Sequence, residues 1–146
     1  MNKQLLAAAA ALCLCSTGAF AQGMKPQRIE NVTWVSVVHV KFKPGKRERA
    51  MDIIEKYFAA ADKAAGTGAG VRGYHFATGG WDAVYFFPMS GGPADLTWAT
   101  SPDDVKWMGE MAKLAGDADK AKAILDEFDT LIERQQRDVA HMHPNW

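Results

Sequence analysis

Residues 32–42 read VTWVSVVHVKF, and this stretch constrains the chain more than any other. β-Branched and aromatic residues fill it, which is the composition of a strand. Val32, Trp34, Ser36, Val38, Val40 and Phe42 fall on one face; Thr33, Val35, Val37, His39 and Lys41 fall on the other. A strand so apolar on both faces belongs at the centre of a sheet covered on both sides. Pro44-Gly45 then stops it, and Ala50, Ile53, Ile54, Tyr57, Phe58 and Ala61 recur at helical spacing between charges. The chain therefore passes from a central strand through a tight turn into an amphipathic helix that folds back over it. Gly66, Gly68 and Gly70 make continuation of that helix costly.

Further on, VRGYHFAT (71–78) and WDAVYFFPM (81–89) flank Gly79-Gly80 and predict a hairpin with a two-residue turn, Pro88 marking an exit or edge. LTWAT (96–100) is expected as a brief extended piece. Ser101, Pro102 and the acids Asp103 and Asp104 are the start signals of a helix that runs to Ala115, with Gly116 as its stop. Asp117 caps the next helix, expected from about 118 to 138 with Ala121, Ile124, Leu125, Phe128, Leu131 and Ile132 inward. VAHMHPNW follows as a short final strand ending before Pro144. The order is βαββαβ, the ferredoxin-like α+β arrangement of an antiparallel sheet with helices on one face, here with an enlarged second helical region.

The segment VHVKFKPGKRERAMDIIEKYF (38–58) and the aromatic hairpin after it resemble the dimeric α+β barrel superfamily, which includes antibiotic-biosynthesis monooxygenases. The resemblance follows element order over roughly residues 32–143. It implies a homodimer in which two sheets pair face to face and enclose pockets.

The compartment is read from the first residues. Lys3 is a short positive n-region, Leu5 to Leu14 an apolar run too short to span a bilayer, and Ala19-Phe20-Ala21 a signal-peptidase site. Cleavage after Ala21 makes residues 1–21 a signal peptide, 22–31 a flexible leader and 32–146 a single domain in the periplasm or outside the cell. Cys13 and Cys15 both leave with the signal peptide, so the mature domain folds without disulfides. Residues 22–146 hold one more acid than bases, a balance that argues against a nucleic-acid partner. They contain no membrane span.

Two sets of histidines are candidate sites. If helices cover the Trp34, Val38, Val40 and Phe42 face, His39 points the other way. Tyr74 and Phe76 on the helix side would put His75 with it. With strand order 4-1-3-2, Val84 or Phe86 then lies between the two histidines, although Tyr85 and Phe87 make an equally good inner face. His39, His75 and Phe86 could line an apolar pocket for an acidic or phenolic ligand, supply a general base, or ligate haem or a transition metal. Spacing places no acid to orient either ring. The bland alternative is a pair of ordinary histidines at an interface and an edge. His141 and His143, on one face of an extended tail with Met142 between them in sequence, form a possible copper site. Trp34 is expected in the core, Trp98 and Trp107 against the added helices, Trp81 at the start of a hairpin strand and Trp146 at the chain end. GTGAGVRG (66–73) follows a helix rather than a strand, so it is a weak phosphate-loop match. The leading functional expectation is a non-catalytic binding or structural domain. The alternative is a small barrel-type oxygenase, cofactor-independent or haem-linked, that uses His39 and His75.

Overall fold

The computed structural model describes residues 25–143. The proposed signal peptide, its cleavage point and Trp146 lie outside the described residues. Residues 25–30 have no regular secondary structure and belong to a unit apart from the one that begins at Asn31. The second unit is a ferredoxin-like α+β domain. Its elements are β1 (Thr33–Phe42), α1 (Arg47–Ile53), a π-helical turn (Ile54–Phe58), α2 (Ala59–Ala65), β2 (Arg72–His75), β3 (Ala83–Pro88), a 3-10 segment (Gly92–Thr97), α3 (Pro102–Ala115), α4 (Ala118–Leu131) and β4 (Ile132–Met142).

The four strands form one antiparallel sheet in the order β2-β3-β1-β4, the order read from the sequence. β1 is central as expected. Val35, Val37, Val38, Val40 and Phe42 are all buried, so both of its faces are removed from water. Gly45 makes the turn after it with φ 72°, a left-handed conformation that glycine adopts without a Cβ clash. The helix that follows runs unbroken through α1, the π turn and α2, where the Ala59 amide donates to the Ile54 carbonyl five residues back. Ala50 and Ile53 pack with Leu131 of α4 on Val38, Val40 and Phe42, with Phe58 and Phe128 at the margin. Each large aliphatic or aromatic side chain so buried stabilises the fold by about 1.5–3 kcal/mol. Ala61, Met111 and Ala121 join α2, α3 and α4 in a second cluster. Trp107 packs there as expected, its ring 5.5 Å from Phe58 and its Nε1 donating to the Phe58 carbonyl (3.3 Å).

α3 begins in a reciprocal cap: the Asp104 amide donates to Ser101 Oγ (3.1 Å) and the Ser101 amide to Asp104 Oδ2 (2.7 Å). Asp117 caps α4 through the Lys120 amide (2.8 Å). Among the described residues, no helix is long and apolar enough to cross a membrane.

Three expectations are corrected. The last helix ends at Leu131, not near 138, and β4 begins at Ile132, seven residues before the expected tail strand. Glu133 to Arg137 are good helix formers, but the free edge of β1 needs a partner. β4 pairs with it from Thr33 to Phe42, so tertiary pairing overrides propensity. β4 is an edge strand rich in charge, as exposed edges tend to be.

The hairpin between β2 and β3 is also wider than a two-residue turn, since His75 pairs with Ala83 across the intervening residues. Asp82 is the cause. Its amide donates to the Val40 carbonyl (2.9 Å), and its Oδ2 accepts from the Phe42 amide (2.8 Å). These bonds tie the residue to the end of β1, while its carbonyl accepts from the Phe76 amide (3.0 Å) just beyond β2, so the chain reverses across residues 77–81. Finally, LTWAT is not extended: Leu96 and Thr97 end the 3-10 segment, and Trp98 is left exposed rather than packed on the helices.

Candidate functional site

Register decides which candidate residues meet. Val37 stands opposite Phe86, and His39 opposite Val84, so Phe86 and Val84 share the His39 face. That resolves the ambiguous parity of β3: Ala83, Tyr85 and Phe87 face the helices. Tyr74 stands opposite Val84 and His75 opposite Ala83. Tyr74 therefore lies with His39, and His75 lies on the helix side, contrary to the expected pairing of the two histidines.

The physical reason is Gly73. The Tyr85 ring lies over it so closely that a Cβ there would stand 2.9 Å from two ring carbons. Placing that large ring on the helix face requires the residue opposite it to lack a side chain. Gly73 thus faces inward, and Tyr74 turns outward, edge-on to Phe86 at 6.0 Å. His75 meets Tyr85 instead, with 3.5 Å between Nε2 and the phenol oxygen. Burial raises the Tyr85 phenol above its ordinary range, and the charge of Arg47 offsets this in part. It remains a protonated donor at neutral pH.

On the other face, His39 keeps company that the sequence did not announce. The Trp81 ring stands 5.5 Å from its imidazole, and the Arg134 guanidinium lies 4.1 Å from the centre of the indole. Arg134 of β4 is directly opposite Lys41 of β1, two cations side by side. Asp138 Oδ2 is 3.9 Å from His39 Nδ1, beyond hydrogen-bond reach, and accepts from Gln136 Nε2 at 2.9 Å. His39 Nδ1 is itself shielded from solvent without a hydrogen bond. Trp81 was missed because it read only as the start of a hairpin strand, and Arg134 and Asp138 because residues 118–138 read as helix. With that reading, no register connects β4 to His39. The alternation of Arg134, Gln136 and Asp138 was the available signal.

No protein-family model matches the chain, and no curated protein matches it either. Solved structures similar to it are NIPSNAP family proteins. One, from Agrobacterium tumefaciens and of unknown function, is 16% identical over 79% of this chain and 92% of its own, with a TM-score of 0.49. A second from that organism is 14% identical over 75% of this chain and 90% of its own, at a TM-score of 0.45. An uncharacterised NIPSNAP domain protein from Burkholderia xenovorans is 13% identical over 73% and 91%, at 0.42.

The tail histidines do come together. The His141 and His143 rings lie 5.0 Å apart, and the Trp34 indole stands 5.0 Å from His141. Met142 stands opposite Thr33, on the His39 face, and so is not part of their cluster. The mixed thioether–imidazole set read from HMH is not assembled. Among the described residues no group of three or more His, Cys, Asp or Glu side chains is arranged to hold a metal. Asp62 lines an open concavity of about 470 Å³ beside the GTGAG turn. Its carboxylate accepts from Thr67 Oγ1 (2.9 Å) and its carbonyl from the Thr67 and Gly68 amides, which makes it part of the helix end.

Proposed function

We propose that this chain is an exported α+β domain, cleaved after Ala21, that binds a small aromatic anion on the His39 face of its sheet. The observation that carries the reading is the juxtaposition of Lys41 and Arg134 around the Trp81–His39 pair. Like charges directly opposite across two strands are destabilising, and a bound carboxylate would relieve that repulsion. Trp81 supplies a ring face for stacking, Val84 and Phe86 an apolar floor, and His39 a polar group able to donate to a phenol or carboxylate. Pairing of two copies through the same face would close the site between sheets, as the barrel resemblance implies.

The test is a titration of the mature chain, monitored by tryptophan fluorescence, with benzoate, 4-hydroxybenzoate and the neutral benzamide. Binding of the two anions and not of benzamide is expected, with at least a tenfold loss in Arg134→Gln. Equal response to benzamide, or full affinity in that variant, would sink the reading. Mass spectrometry of the protein from its native host should find the N-terminus at Gln22; a soluble protein retaining Met1 would overturn the export claim.

One observation favours the enzymatic alternative. Asp138 beside His39 is a carboxylate placed to orient an imidazole after a small closing movement, which is the arrangement of a general base. The version that uses His39 and His75 together does not fit, because the sheet separates them. A His39 base predicts that a bound phenol is deprotonated, seen as the phenolate absorbance, and that this is lost in His39→Ala while binding persists.

A further inference from the structure

We propose that His141 and His143 form a two-point chelate for a divalent transition metal, Cu(II) above all, at the end of β4. The proposal is independent of the His39 site, which lies on the opposite face of the sheet.

The argument is geometric. A metal–nitrogen bond to imidazole is about 2.0–2.1 Å, which places the ring centre about 3.2 Å from the ion; two such ligands stand about 4.5 Å apart, centre to centre, at the right angle of a tetragonal ion and about 5 Å at a tetrahedral angle. The His141 and His143 rings are 5.0 Å apart with their planes inclined at 72°. They are already separated as two ligands of one ion would be. β-Strand alternation puts residues two apart on one face, and here that spacing delivers both rings to the same side.

His141 is also held in place. Trp34, opposite His141 in the register, backs the imidazole at 5.0 Å. The 3-10 segment backs Trp34 in turn: a Cβ on Gly92 would stand 3.1 Å from the indole. A ring fixed before binding loses less freedom when the ion arrives, so two ligands can suffice for useful affinity. The remaining coordination positions are left to water or to an added small ligand. With the Met142 thioether on the other face, the donor set is two nitrogens and no sulfur. That set suits a borderline divalent ion rather than Cu(I), and among such ions Cu(II) binds most tightly.

The experiment titrates the mature chain with Cu(II), released from a glycine buffer, by calorimetry and by indole fluorescence. One equivalent should bind, with partial quenching because Trp34 sits beside the site, and more tightly than Zn(II) or Ni(II). His141→Ala and His143→Ala should each weaken binding at least tenfold, and His39→Ala should leave it unchanged. Trp34→Phe should retain the calorimetric signal and lose most of the quenching. Electron paramagnetic resonance of the loaded protein should show nitrogen hyperfine structure that is lost in the double variant. Failure of the wild-type chain to take up Cu(II), or undiminished binding in the double variant, would overturn the proposal.

Discussion

The Tyr85 ring lies across Gly73 on the neighbouring strand, in the space that a side chain at position 73 would occupy. This contact sets which way the edge strand faces and so separates His75 from His39. Gly73→Ala should therefore destabilise the domain by about 1–3 kcal/mol through overpacking. In a Tyr85→Ala background the same change should cost much less, because the obstructing ring is gone. Denaturant melts of the four chains measure the coupling; additivity would mean that the ring does not determine the facing of β2.

Asp82 closes the end of β1 with a carboxylate on the Phe42 amide and its own amide on the Val40 carbonyl. Asp82→Ala leaves the Phe42 N–H without its acceptor, beside a buried ring. A loss of about 1–3 kcal/mol is expected, as for a part-buried donor deprived of its partner. Because Asp82 also anchors the loop carrying Trp81, any ligand response of the His39 face should weaken with it. A variant as stable as the wild type would mean that water replaces the carboxylate.

Much of the architecture was legible because single residues carried it. Val38, Val40 and Phe42 opposite Ala50 and Ile53 gave the strand-to-helix packing, and Ser101-Pro102 gave a helix start that the reciprocal cap confirms. Central placement of β1 and the strand order followed from its two apolar faces. What escaped was non-local. Glu133 to Asp138 look helical in isolation and become strand only because β1 offers an unpaired edge. Tyr74 and His75 were assigned the wrong faces because nothing local says that the glycine beside them must meet Tyr85 on the next strand. The site suffered most, since Arg134 and Asp138 reach His39 only through the β4 register.

Asp62 gives a pH prediction. Burial raises its carboxyl above the ordinary value, with the Thr67 hydroxyl pulling the other way. The folded state thus holds the proton more tightly than the unfolded one. The resulting stabilisation is complete below the unfolded pKa and is lost as pH rises through the folded one. Glu127 and Asp117 shift downward, held by Arg49 and Lys120, and run oppositely, losing stability as pH falls. Comparing Asp62→Asn with the wild type isolates the first effect. The variant should gain in relative melting temperature as pH rises through the carboxylate range, then level off. A difference that does not change with pH would show that Asp62 titrates alike in both states.

Association through the His39 face can be tested without damaging the core. On that face Val35, Val37 and Val84 are buried, whereas Tyr74 and Met142 are each 59% exposed. Large exposed apolar side chains at the two edges of one sheet face are what a paired sheet would cover. Sedimentation of the mature chain at micromolar concentration should give about twice the chain mass. Tyr74→Glu and Met142→Glu together should shift it to one chain while leaving the melting temperature of the monomer close to that of the wild type, since both side chains are mostly exposed. An isologous contact brings each substitution in twice, so the new carboxylates would be desolvated or would repel one another across the two-fold axis. A wild-type chain that sediments as a monomer would remove the dimer, and the closed pocket with it. The open-face ligand site around Trp81 would remain to be judged by its own titration.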